Sequence, residues 1–133
     1  MSKALFPTDN DEDHTIEMAA FLERPDAAVF IAVRPDGSTC GYVEAGARSI
    51  ADGCSTSPVG YVEAWYVDPD VRREGYGRAL LEAAEAWAVE QGYREMASDA
   101  LLENEVSHQA HKRSGYVEVD RVITYRKSLP ERR

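Results

Sequence analysis

Tyr42 and Glu44 alternate with Val43 and Ala45 along residues 39–47. Successive side chains on a strand point to opposite faces, so this pattern predicts a half-buried strand. Its antiparallel partner is the apolar run 27–34, joined to it by the turn Pro35-Asp36-Gly37. Residues 49–60 carry two glycines, a proline and several serines and threonines and read as a loop; residues 61–67 give the next strand. The period then becomes helical: Tyr76, Leu80, Ala83, Ala84 and Trp87 share one face, and Gly92 supplies the stop. Residues 94–98 read as a short strand and 104–113 as a second helix closed by Gly115. A last strand pair is expected over 116–120 and 122–127. Ahead of all these, Asp9-Asn10-Asp11-Glu12-Asp13 suits a helix N-terminus, and the expected helix runs through Ile16, Ala19 and Ala20 to Leu22, stopping before Pro25. The order α–β–β–β–α–β–α–β–β predicts a single α/β domain over residues 1–133, a mixed sheet with a helix on each face.

Composition narrows the class. A hydrophobic share of 44% and a charged share of 29% are those of a soluble globular domain, and 133 residues suffice for a real core. No apolar run approaches a membrane span, and the first residues lack a secretion signal, so no membrane partner is expected. Cys40 and Cys54 have no metal-ligand spacing and read as free thiols in a reducing cytoplasm. His14 and His108 show no metal spacing either, and no metal is expected. A net charge of −9 argues against nucleic acid as a partner and permits a cationic substrate.

Candidate chemistry concentrates where the 61–67 strand meets the first long helix, at Val67-Asp68-Pro69-Asp70-Val71-Arg72-Arg73-Glu74-Gly75-Tyr76-Gly77-Arg78-Ala79-Leu80-Leu81. A glycine-rich loop at a helix N-terminus lets backbone N–H groups approach an anion, and the helix dipole favours negative charge there. A dinucleotide fingerprint would need a third glycine near Ala79–Leu80, and a Walker loop would need Gly-Lys-Ser/Thr; neither is present. The pattern Arg72-x-x-Gly75-x-Gly77 resembles the pyrophosphate loop of the GCN5-related N-acetyltransferases. Residues 94–127, the segments Gly53-Cys54-x-x-Ser57-Pro58-Val59 and Tyr61-Val62-Glu63, and Leu5-Phe6-Pro7 resemble the aminoglycoside 6'-N-acetyltransferases of that superfamily. Members of that group begin with a further strand ahead of the Leu-Trp-Pro segment, and this chain starts close to it. The resemblance therefore implies the acyltransferase fold without its usual first strand, and an exposed sheet edge there.

The resemblance implies acetyl-CoA as donor and a cationic amine as acceptor. Residues Arg73, Glu74, Gly75, Tyr76, Gly77 and Arg78 would wrap the pyrophosphate through their backbone, with the Glu74 side chain turned to solvent. Trp65, Tyr66 and Val67 would pair with the pantetheine arm as an added strand does, Val67 N–H serving as oxyanion donor. Asn104 would contact the pantetheine, cap the second helix, or do both. Glu63 shares a strand face with Trp65 and is the first choice for ammonium binding and base catalysis. Asp99, Asp120 and Phe6 complete the implied substrate site. Tyr125 is the leading general acid for the coenzyme A thiolate, with His111, four residues before Gly115, or solvent as alternatives. The implied activity is acetylation of the 6'-amine of aminoglycoside antibiotics by a cytoplasmic homodimer. Acetylation of a polyamine or peptide amine, or non-catalytic acyl-CoA binding, are the alternatives.

Overall fold

The computed structural model describes residues 5–6, 15–20 and 26–132. Six strands form one sheet in chain order: β1 (Leu5–Phe6), β2 (Thr15–Ala20), β3 (Ala28–Val33), β4 (Thr39–Arg48), β5 (Val59–Val67) and β6 (Met96–Ser98). Neighbours are antiparallel through β5, and β5 and β6 are parallel. A parallel pair needs a crossover, and α1 (Tyr76–Glu90) supplies it; α2 (Glu105–Arg113) follows β6.

The core lies between α1 and the sheet. Ala79, Leu80, Leu81, Ala84 and Trp87 of α1 pack with Ile16, Phe30, Ala32, Val43 and Val62 of the strands. The expected strand over 27–34 is β3, in which buried and half-buried positions alternate along Ala28–Val33. A smaller cluster of Ala51, Val59 and Tyr61 gathers under the 49–58 loop. Glu95 ties that loop down by accepting from the N–H groups of Ser55 and Thr56, at 2.9 and 2.8 Å, and from the Thr56 hydroxyl. The Thr56 hydroxyl first, and then these backbone donors, hold the Glu95 carboxyl below its ordinary range.

Two expected elements are corrected. Residues 15–20 form a strand, not the end of a helix. Ile16 and Met18 are buried while Thr15 and Glu17 are half-buried, a period of two, and β2 pairs with Val29–Val33 of β3. Sheet pairing thus overrides the helix-start signal of the acidic run, which itself lies outside the described residues. The expected strand pair over 116–120 and 122–127 is absent: residues 116–132 adopt no regular structure. Their alternating apolar side chains pair with no strand in the single chain, although the outer edge of β6 is open among the described residues. Tyr116 anchors the start of the segment, donating to Glu85 of α1 at 2.7 Å, and Val119 lies over Gly53, where a Cβ would meet its side chain at 2.6 Å. On the other side of the sheet, β1 pairs Leu5 with Glu17 and Phe6 with Ile16.

Candidate active site

The site follows from how far β5 and β6 run together. They pair only at Gly60–Met96, Tyr61–Ala97 and Val62–Ser98, whereas β5 continues against β4 to Val67. Beyond Val62 the two strands part, and a cleft opens that Glu63, Trp65, Ser98, Asp99, Asn104 and His111 line. The backbone of β5 faces into this gap. Asp68 N–H donates to the Cys40 carbonyl at 2.7 Å, which makes that pair hydrogen-bonded and, by alternation, turns the N–H and C=O of Val67 and Trp65 away from β4. Val67 C=O accordingly accepts from Arg72 Nε at 3.0 Å.

Glu63 is placed by a bulge. Ala45 pairs with Val62 and Glu44 with Ala64, so Glu63 is an extra residue with no partner on β4. A bulge bends the strand and re-aims the side chain. Although it lies on an inner strand, Glu63 is not a buried carboxylate: its side chain is 36% exposed and pairs with Arg48 at 2.9 Å. Tyr61, two residues earlier, donates its hydroxyl to Asp99 at 2.6 Å. Burial first, and that hydrogen bond second, push the Tyr61 hydroxyl up to about 12, so it stays a donor at neutral pH.

The helix start is built for an anion. Arg73 (φ 71°) and Gly75 (φ 97°) are both left-handed, a turn that brings successive N–H groups to one side. No side chain caps α1, so its first-turn N–H groups have no acceptor within the helix and none from a capping residue. Gly77 permits close approach: a Cβ there would lie 3.3 Å from the Trp65 ring, whose Nε1 donates to Gly77 C=O at 3.1 Å. Arg34, at the end of β3, braces the approach to this loop through Asp68 at 2.8 Å and Asp70 at 2.7 Å. The loop thus offers a curved run of backbone donors flanked by the exposed Arg72, Arg73 and Arg78, a set that fits a pyrophosphate. Glu74 is exposed, as expected of a side chain turned from an anion.

The remaining sequence candidates divide. Asn104 caps α2, accepting from Ser107 N–H at 3.1 Å, and also lines the cleft. His111 stands on α2 facing the cleft, edge-on to Trp65 at 5.0 Å. Its Nδ1 lies 2.8 Å from Ser107 C=O, which can only accept, so Nδ1 carries a proton. That leaves Nε2 toward the Ser98 hydroxyl at 2.8 Å. Tyr66 lies on the other face of β5, tilted against Tyr42. Tyr125 is 88% exposed on the 116–132 segment and lines no part of the cleft. Asp120 is exposed on the same segment and accepts from Arg121 N–H at 2.8 Å. The Phe6 backbone lies in β1, and its side chain is outside the described residues. Arg48, Tyr61 and Ser98 were not anticipated. Alternation along β5 gave no signal for Tyr61, because the bulge at Glu63 breaks the period and Tyr61 packs in a different cluster from Trp65; Arg48 reaches the site only through the β4–β5 register.

A splayed strand pair beside an uncapped, glycine-turned helix start, with a carboxylate in the gap, defines an acyltransferase that anchors a pyrophosphate-bearing acyl donor. Residues 1–116 match the Acetyltransferase (GNAT) family. The chain is 44% identical to an aminoglycoside N(6')-acetyltransferase type 1 of Klebsiella aerogenes, over 94% of this chain and 84% of that one. It is 40% identical to the protein of the same name from Stenotrophomonas maltophilia, over 89% and 78%. Among solved structures it resembles AAC(6')-Iy in complex with the bisubstrate analog CoA-S-monomethyl-acetylneamine, with TM-score 0.76 and 38% identity over 81% of this chain and 74% of that one. It also resembles AAC(6')-Ih from Acinetobacter baumannii, with TM-score 0.74 and 31% identity over the same shares. The chain belongs to the GNAT acetyltransferase family.

Proposed function

We propose that this protein acetylates the 6'-amine of aminoglycosides with acetyl-CoA and thereby confers resistance to them. The observation that carries the reading is the acid-lined cleft, with Glu63 and Asp99, opening beside the donor loop. Acetyl-CoA supplies an acetyl group activated as a thioester. Its diphosphate is held by the backbone of residues 73–78, and its extended arm adds to the free edge of β5 at Trp65 and Val67. Val67 N–H, directed into the gap, donates to the acyl oxygen as charge develops there. Glu63 binds the ammonium and takes its proton, directly or through water, since only the neutral amine is a nucleophile. Asp99, held by Tyr61, receives a second cationic group of the substrate. His111 is better placed than Tyr125 to protonate the departing thiolate, because it faces the cleft and Tyr125 does not; the proton it gives is a second one, taken up at Nε2 from solvent, since the Nδ1 proton is held by Ser107 C=O.

Thiol release from acetyl-CoA, followed with kanamycin or tobramycin beside a polyamine and a peptide amine, tests this. Turnover with the aminoglycosides alone supports it; acetyl-CoA binding without turnover on any amine sinks it. In the same assay His111→Gln is expected to lower kcat by about 10²-fold, and Tyr125→Phe by less than about twofold. The reverse ranking would return the acid to Tyr125.

The protein is further proposed to act as a cytoplasmic homodimer. What supports the dimer is the 116–132 segment, which leaves Val117, Val119, Ile123, Tyr125 and Leu129 exposed although their alternation suits a strand. Among the described residues, β6 ends the sheet with its outer edge open. An unpaired apolar segment and an open edge in one chain suit a second copy. Sedimentation equilibrium should give twice the 14.8 kDa chain mass, and Ile123→Arg should shift it toward the monomer. A wild-type monomer at micromolar concentration would refute the dimer.

A further inference from the structure

One of the carboxylates that line the cleft already holds a cation. Arg48, the last residue of β4, directs Nη2 and Nε to the two Glu63 oxygens at 2.9 and 3.3 Å. Its guanidinium carbon also lies 3.5 Å from the centre of the Tyr61 ring. Tyr61 in turn holds Asp99, so one network of side chains joins Arg48 to both carboxylates proposed for the substrate. The guanidinium therefore sits on the carboxylate that the incoming ammonium needs.

We propose that Arg48 is a displaceable counter-cation at the ammonium subsite, holding Glu63 until an amine replaces it and thereby weakening the binding of every amine that uses Glu63. The inference rests on the reading of Glu63 as the ammonium ligand. Both partners of the Arg48–Glu63 pair are partly exposed, 46% and 36%, so water can solvate either one when they separate. A monoamine entering the site exchanges one cation for another on Glu63 and gains little. A polycation makes the same exchange and brings further ammonium groups, which reach Asp99 and the acidic surface of a chain with net charge −9. The released guanidinium keeps the Tyr61 face as a resting place. Both amines displace the same guanidinium, so this internal competitor lowers the affinity for each by the same factor.

The test is steady-state kinetics and calorimetric binding on the full chain, with a sugar carrying one amine and with tobramycin. Arg48→Met is expected to lower KM for both amines by about the same factor, about fivefold, kcat staying within about twofold. Arg48→Lys should restore most of the wild-type KM values. In a Glu63→Gln background, Arg48→Met should change neither KM, because the carboxylate it competes for is gone. A fall in kcat, or a rise in KM for both amines, would make Arg48 an orienting residue for Glu63 and overturn the proposal. Survival of the fall in KM without Glu63 would make it a general charge effect and would also overturn the proposal. Failure of the underlying reading is separate: Glu63→Gln alone would then leave the affinity for every amine unchanged.

Discussion

Glu63→Gln is expected to lower kcat/KM for an aminoglycoside by about 10²–10³-fold while leaving the affinity for acetyl-CoA within about twofold. The substitution keeps the size of the side chain and removes the negative charge proposed to attract the ammonium and the basic site proposed to accept its proton. It does not touch the proposed donor loop, residues 73–78, on a separate stretch of chain. The bulge at Glu63 belongs to the backbone register between Glu44 and Ala45, so the amide should occupy the same place. Glu63→Asp separates the two roles: it keeps the charge and withdraws it by one methylene, so KM should change little while kcat falls. Calorimetry of acetyl-CoA and of aminoglycoside, beside the thiol assay, reads both. Unchanged kcat/KM in Glu63→Gln would remove Glu63 from the chemistry and leave Asp99 as the acid nearest the gap.

Much of this site could be read before any coordinates. The strand–loop–helix passage from Val67 to Leu81 is local, and its glycines announce positive φ at Gly75 and close approach at Gly77 without help from the rest of the chain. Strand β4 and helix α1 were legible for the same reason, since their period is written in neighbouring residues, and β3 was legible as an apolar run beside a turn signal. What failed depended on partners distant in sequence. Residues 15–20 carry a helix-like charge signal before them, yet the edge of β3 captures them as β2. Residues 116–127 have the alternation of strands, but alternation specifies a face and not the edge that must pair with it. The Arg48–Glu63 contact was invisible because it needs the β4–β5 register and the bulge within it, which together carry an arginine at a strand end onto the residue that the bulge re-aims. Tyr125 was misplaced for a related reason, since its position depended on the strand pair that the single chain does not form.

Trp87→Ala carries the largest expected cost to stability, about 3–5 kcal/mol against the roughly 5–15 kcal/mol that holds a domain together. Trp87 is 2% exposed, is among the largest fully buried side chains, and meets Tyr93 edge-on at 5.9 Å. It lies on the α1 face that joins the helix to the sheet, so truncation opens a void that close-packed neighbours cannot fill. The indole nitrogen is buried without a hydrogen-bond partner, a defect that costs about 1–3 kcal/mol. Trp87→Phe removes that orphan donor along with some volume, so its net cost should stay below about 1.5 kcal/mol. Urea denaturation of the three proteins should show the alanine midpoint far below the other two. Saturating acetyl-CoA, at about 100 times its dissociation constant, should return about 2.7 kcal/mol to each if it binds only the folded chain. Trp87 lines no part of the cleft, so the rescued alanine variant should keep kcat near wild type. An alanine variant as stable as wild type would mean that α1 is held by its N-terminal loop and Gly77–Trp65 contact rather than by this face. A rescued but inactive one would mean that the loop geometry depends on how α1 is seated.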